Sequence, residues 1–531
     1  MSLSPEAPQQ FSQRSFSRYL IVALICASLL IYTWPIVQSP FLMDEVYGVV
    51  NIHGIDVRDS FFSALTSSFS DESLDYYLTK VGRVAPFGVM LYHTGFWLTS
   101  SIAFATGISI SNVYAVFKIF FLCISFFGLR QLLIEFAESD RARDAKKRLY
   151  ATNLTLLSAF VFAAGLRTDL ANRNGLMVYP FLTYTALIYA IWLPLILIRL
   201  RRSTYATIVF PLASVVFGCV IGFGYELHYC AIVTTTIALI LTRKNVKVLS
   251  LASLRDLILI TSFGVIFLLN QILIKRACAN ADCYTGTKIQ LGQELPGTVL
   301  HNFVGNLPLK AQSILELYSK AELNFDVPST LSFRSIFPSL LIAILMVGLV
   351  YNRSLFSRVS LSSAEVDLRS VRFKGLVTFS TLGMFTIIAT SLSQLSQEIL
   401  TNPVPFRGYV VAWFSISVSV TFLVFSVTRR VNLSTILSIL LGAILGCYLH
   451  AWSIFGVEVV AAVPGNASFQ KVINDFQDEP GLANDDTKRC KDLASLGDSR
   501  RAKAVRMNID GVYSYMYGEK FCSTNLVAVD P

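Results

Sequence analysis

The chain has 531 residues, is 54% hydrophobic and only 15% charged, and has a mean hydropathy of +0.58. A soluble protein carries roughly 25% charged residues, so this composition excludes an ordinary soluble enzyme. The net charge of +10 fits Lys and Arg in cytoplasmic loops and contact with anionic membrane lipid. No motif supports nucleic-acid binding.

Apolar runs long enough to cross a bilayer recur along the chain. The alternating segments of a membrane β-barrel are absent. The first run, YLIVALICASLLIYTWPIV at 19–37, lacks a small-residue cleavage site and reads as a retained helix. FLMDEVYGVVN follows, with Asp44 and Glu45 set between apolar flanks. An acid at a membrane boundary can serve as a general base toward an incoming hydroxyl, or it can be a solvated pair or a helix cap. In SFSDESLDYYL, Ser70 reads as a helix N-cap with Asp71 and Glu72 in the first turn. Arg83, in KVGRVAPFGVM, suits either a lipid phosphate or snorkelling to headgroups.

The stretch 87–106 contains His93, two glycines and several hydroxyls, which suits an interfacial or re-entrant helix better than a span. Charge parity points the same way. The N-terminus carries Arg14 and Arg18, and the loop RARDAKKR is strongly basic; both belong in the cytoplasm, so an even number of crossings separates them. The segment 38–111 is therefore expected to be one long extracytoplasmic loop carrying juxtamembrane helices. Lys118 lies inside the next run, about two turns from its outer end, and an ionisable residue there is a functional candidate or a snorkelling one.

Further spans are predicted at 112–134, 149–166, 180–199, 205–222, 227–242, 255–274, 333–351, 375–393, 408–427 and 434–453. With the first, the total is about 11, and the odd count places the C-terminus outside. Asp169 and Arg173 lie in one outer loop, Glu226 and His228 in a very short outer turn, and Arg407 tops a later span. Together they would line one outward cavity. Cys26, Cys123, Cys219, Cys230 and Cys447 lie in or beside apolar runs and read as inert core residues. Cys278 with Cys283, and Cys490 with Cys522, share polar segments that this topology puts outside, where disulfides persist. The resulting organisation is a transmembrane module at 1–453, with a second outer loop at 275–332, and a small extracytoplasmic C-terminal domain at 454–531.

A first helix, an Asp-Glu pair in MDEVYG, a long outer loop with GRVAPFGVMLYHTGFWL, and SNVYAVFKIFF opening the next span resemble the GT-C superfamily of integral membrane glycosyltransferases. The MDEVYG string is similar to the acidic motif of protein O-mannosyltransferases. The overall layout resembles the GtrII-like O-antigen glucosyltransferases and the arabinofuranosyltransferases. The likeness is carried by about the first 135 residues. It implies an all-α polytopic GT-C-type bundle. It also implies transfer of a hexose or pentose from a polyprenyl-phosphate-sugar donor to a glycan, lipid-linked or protein acceptor, with inversion, outside the membrane. Asp44 or Glu45 would be the base, and Lys118, Arg83 and Arg407 would bind the donor phosphate. From their place in the outward cavity read above, Glu226, His228, Asp169 and Arg173 would contact substrate. The setting implied is a bacterial inner membrane with the site facing the periplasm, with an ER-type membrane as the alternative. Some relatives use a divalent ion with extra acidic ligands; no second Asp-x-Asp motif occurs here, which favours a mechanism without metal or other cofactor over one using a divalent ion.

Two rivals belong to other classes. An O-antigen ligase or polymerase-like enzyme would draw on a pyrophosphate-linked glycan with a late loop rich in Arg and His; Arg276 and His301 lie there without a basic cluster. A non-enzymatic lipid or sugar transporter would show paired broken helices and internal repeats, which are not seen.

Overall fold

A computed structural model describes residues 61–137, 144–164, 180–243, 251–279, 283, 289–306, 364–393, 406–427, 468, 471–472, 475–476, 486–496, 500–517 and 519–522. This part is 87% helical and contains no strand. The helices are α1 (Phe61–Thr66), α2 (Asp71–Tyr76), α3 (Pro86–Thr106), α4 (Ile110–Phe136), α5 (Asp144–Ala164) and α6 (Pro180–Arg202). They continue as α7 (Ala206–Gly222), α8 (Cys230–Leu241), α9 (Leu251–Ala277), α10 (Leu295–Asn306), α11 (Ala364–Ser391) and α12 (Phe406–Val427). The C-terminal segment adds α13 (Asp486–Ala494) and α14 (Arg500–Tyr517).

Four of these helices, α4, α6, α9 and α11, are long and apolar enough to cross a membrane. Shorter apolar helices are Tyr150–Ala163, Ala206–Gly222, Glu226–Leu241 and Val410–Leu423. All eight fall on expected spans. The expected spans at 19–37, 333–351 and 434–453 lie outside the described residues.

The bundle centre holds Tyr184, Phe160, Phe162, Phe379, Trp413 and Phe414, all nearly or fully buried. Lipid tails are as apolar as these side chains, so helix association depends on close packing and hydrogen bonds rather than on the hydrophobic effect. Small residues supply the close approach. A Cβ on Gly218 of α7 would lie 2.1 Å from Ser262 Oγ of α9, and one on Gly375 of α11 would lie 2.4 Å from the Phe422 ring of α12. The Trp413 indole donates to the Phe162 carbonyl at 2.8 Å, tying α12 to α5. Thr234, Thr386 and Ser417 return their hydroxyls to carbonyls four residues back, at 2.8 Å each, so no buried hydroxyl is left to face lipid at these positions.

One end of the bundle is basic. There Glu135 of α4 holds Arg199 at 2.8 Å and Arg202 at 2.7 Å. Arg201 donates to the Leu239 carbonyl at 2.9 Å, and Lys374 to the Phe136 carbonyl at 3.4 Å. Cations thus meet the carbonyl ends of α8 and α4, where the helix dipole is negative.

The opposite end carries α3. Its start meets the α7–α8 turn, where Phe87 N–H donates to Phe223 O at 3.1 Å. Gly95 faces the Phe181 ring near the start of α6, where a Cβ would come within 2.2 Å. Phe96 stacks on Tyr114 near the start of α4, with ring centroids 6.0 Å apart. All three partners lie at the same end of their helices, so α3 runs across that end and not alongside the helices that end there. Two disulfides form, Cys278–Cys283 and Cys490–Cys522. Among the other cysteines, Cys230 is buried as expected, whereas Cys123 is exposed on α4 because its position falls on the outward stripe shared with Val116, Phe120 and Phe127.

The described C-terminal residues pack on α3 and α4. Val472, Phe476, Val505, Ile509, Tyr513 and Phe521 share one apolar cluster with Phe96, Ala103 and Tyr114. On α14 the buried residues Ala502, Val505, Ile509 and Tyr513 recur at helical spacing, which makes a single stripe facing the cluster. Buried Arg489 donates to Phe521 O at 2.8 Å and lies 5.3 Å over the Tyr513 ring, which fastens the two ends of this unit.

Candidate active site

Asp44, Glu45, Asp169 and Arg173 lie outside the described residues. Arg407 is the second residue of α12, and its side chain is likewise outside the description. Arg83, Glu226, His228 and Lys118 are all placed, and all at the end crossed by α3.

Arg83 and Glu226, distant in sequence, form an ion pair. The local chain makes this contact available. A π-helical turn over Tyr77–Val81 ends at Gly82, whose φ of 68° lies in the left-handed region that glycine adopts without strain. The reversal brings Arg83 N–H to Tyr77 O at 2.9 Å. Pro86 then opens α3, its fixed φ already helical and its missing N–H costing nothing at the first position. The Arg83 side chain is 13% exposed and that of Glu226 is 42% exposed, so the pair has a covered cationic side and an open anionic one. The guanidinium also stands 4.7 Å over the Tyr225 ring.

Asn270 supports this corner from α9. Its amide donates to Gly222 O at 2.8 Å and to Val84 O at 3.4 Å, joining the end of α7 to the residue after Arg83. The Asn270 Oδ1 atom is buried without a hydrogen-bond partner among the described residues. Neither Tyr225 nor Asn270 was expected as a site residue. Asn270 does carry a sequence signal, being with Gln271 one of two adjacent amides that interrupt a run of apolar residues in LLNQI, and such residues pack against other helices or functional groups.

His228 shares a turn with Glu226 but faces inward, at 1% exposure. Its Nδ1 accepts the Tyr225 N–H at 3.1 Å, which places the ring proton on Nε2. Nε2 lies 3.2 Å from both Leu182 O and Thr185 Oγ1. Both ring nitrogens are therefore used to pin the turn to the start of α6. The pair does not act as two groups facing one cavity, as the short turn suggested; Glu226 opens outward and His228 closes inward.

Lys118 is 2% exposed on α4. Its ammonium stands 4.7 Å over the Tyr114 ring, the same ring that stacks under Phe96 of α3. A charge buried in a span is costly unless the surrounding groups stabilise it, and the face of an aromatic ring does so. On the neighbouring surface of α3, His93 Nδ1 and Ser67 Oγ share a hydrogen bond of 2.8 Å. Burial lowers the His93 imidazole to about 4, so it is neutral at pH 7. Among the described residues, no three His, Cys, Asp or Glu side chains come together to hold a metal ion.

The site end thus contains a cation buried inside the bundle, a second cation paired at its rim with Glu226, and an aromatic cover from α3 and the C-terminal unit. A comparison with known family models, curated proteins and solved structures finds no match to this chain.

Proposed function

We propose that the chain is a membrane glycosyltransferase of the GT-C type that takes a sugar from a polyprenyl-phosphate donor. The observation that carries this reading is Lys118, an ammonium buried in a membrane-spanning helix on the end that also holds Arg83. Buried intramembrane cations that face a protein interior mark anionic ligands or ion pathways. A lipid phosphate entering from the bilayer is the anion that this depth offers. The basic end would face the cytoplasm and the α3 end the extracytoplasmic side, as the excess of Arg at the former suggests. In a bacterial inner membrane the latter faces the periplasm.

In this reading the acceptor hydroxyl oxygen attacks the anomeric carbon as the bond to the phosphate oxygen breaks. The hydroxyl proton passes to Asp44 or Glu45, and the electron pair leaves with polyprenyl phosphate. Charge grows on that leaving group, and preorganised cations stabilise it as it develops. A single displacement inverts the anomeric centre and needs one carboxylate. Arg407, Asp169 and Arg173 keep the roles read for them from the sequence, and His228, with both ring nitrogens engaged by Tyr225, Leu182 and Thr185, is read as a positioning residue.

The test uses the purified protein in proteoliposomes with radiolabelled polyprenyl-phosphate hexose and pentose donors. Release of polyprenyl phosphate with inversion is expected, and its loss in Asp44→Asn with an unchanged melting profile identifies the base. Full activity of Asp44→Asn removes that residue from the role. Failure of the wild-type protein to bind or consume either donor class refutes the reading.

A further inference from the structure

Resting on the donor-phosphate reading above, we infer that Glu226 is a displaceable counter-ion, holding Arg83 in the empty protein and competing with the lipid phosphate for it. Three observations carry this. The first is the asymmetry of the pair: Arg83 is 13% exposed and braced by Tyr225 at 4.7 Å, while Glu226 is 42% exposed at the rim. The guanidinium is thus the covered partner and the carboxylate the solvent-accessible one. A planar guanidinium that accepts a carboxylate also accepts a phosphate, because both present paired oxygens to its N–H fork.

The second observation is the setting. The corner is built where α7 and α9 meet, and those helices expose apolar side chains along their flanks, among them Val215, Val216, Leu268, Leu269, Ile272 and Leu273. Gly222 of α7 packs so closely on α9 that a Cβ would lie 2.6 Å from Ile266. An isoprenoid tail on this wall would bring its phosphate to the level of Val84 and Gly222, which Asn270 fastens. Lys275 and Arg276, both exposed in the last turn of α9, lie at the same rim and add attraction for an anion.

The third is chemical. A sugar phosphodiester carries one negative charge and the product monoester nearly two. Without a competitor, Arg83 would hold the product more tightly than the donor. A carboxylate able to return to the guanidinium counteracts this and promotes release. Glu226 therefore sets the balance between donor capture and product release without touching the reacting bond.

The experiment titrates farnesyl phosphate, with inorganic phosphate as control, into detergent-solubilised wild-type, Glu226→Gln, Glu226→Ala and Arg83→Ala proteins. Both Glu226 variants should bind farnesyl phosphate about three- to tenfold more tightly, the scale of a partly exposed ion pair. With donor, both KM and kcat should fall. Arg83→Ala should lose most of the binding. Unchanged or weaker binding by the Glu226 variants, with loss in Arg83→Ala, overturns the counter-ion role and leaves the donor-phosphate reading standing. Unchanged binding by Arg83→Ala overturns both assignments for Arg83. Inorganic phosphate binding as tightly as farnesyl phosphate rules out a lipid ligand here. Failure of both Glu226 variants to fold makes the pair structural and overturns the inference.

Discussion

Removing the Cys490–Cys522 bridge should loosen the C-terminal unit far more than removing Cys278–Cys283 loosens its loop. The bridges close segments of very different length, with sequence separations of 32 and 5. In the chain-entropy description the longer closure is worth about 3.7 kcal/mol at 25 °C and the shorter about 2.2 kcal/mol. The longer figure corresponds to a rise of up to about 500-fold in the opening constant, taking 1.36 kcal/mol per tenfold. Proteolysis reads that constant when opening and closing outpace cleavage. Arg489, at 3% exposure, becomes available to trypsin only on opening. Tryptic cleavage at Arg489 would be timed in wild type, in Cys490→Ser with Cys522→Ser, and in Cys278→Ser with Cys283→Ser. A rise of two orders of magnitude in the first double variant alone is expected. A rise below tenfold, or an equal rise in both, refutes the argument. The result also bears on function, because Cys522 and Tyr114 belong to one apolar cluster and Tyr114 is the ring facing the Lys118 ammonium.

Lys118→Met keeps the length and apolar stem of the side chain while removing its charge, so donor turnover should fall roughly 100-fold with little change in melting temperature; unaltered donor kinetics would make Lys118 structural. Burial holds the Asp475 carboxyl above its ordinary 3.8, against the pull of Lys488 at 2.5 Å and with a further push from Asp492. The folded unit then takes up this proton at higher pH than the unfolded chain, so its contribution to stability rises as pH falls through the folded value and is smaller above it. Melting of the C-terminal unit between pH 7 and pH 4 should show this slope in wild type, and Asp475→Asn should flatten it; an identical slope in both would reject Asp475 as the group. Ile108, 47% exposed in the turn between α3 and α4, should as cysteine react with an impermeant maleimide added outside intact cells; reaction only after cytoplasmic access would invert the proposed orientation.

Much of the helical layout was legible in the linear pattern. Apolar runs marked the four helices long enough to cross a membrane and four shorter apolar ones, because a segment that enters lipid must satisfy its own backbone hydrogen bonds. The anomaly at 87–106 was legible too: hydroxyls, two glycines and His93 make α3 too polar for a span, and it lies across one end of the bundle. Ser70 was legible as a cap, and its Oγ accepts the Ser73 N–H at 3.2 Å. The two cysteine pairs followed from the segments they occupy.

The partners of the charged groups were not legible. Glu226 and His228 are separated by one residue, yet the tight turn sends one outward to Arg83 and the other inward to Leu182 and Thr185. Nothing in the spacing of Arg83 and Glu226 couples them; the crossing of α3 over the α7–α8 turn does. Asn270 could be singled out, with Gln271, as an amide interrupting an apolar run, but its bond to Gly222 O exists only because α7 and α9 approach through Gly218 and Gly222. The sequence by itself determined which segments are apolar enough to enter a membrane, and four of them form helices long enough to cross one, since transfer from water to lipid acts on each segment separately. Only the tertiary structure decided which charges meet, since a contact depends on the relative placement of helices that are far apart along the chain.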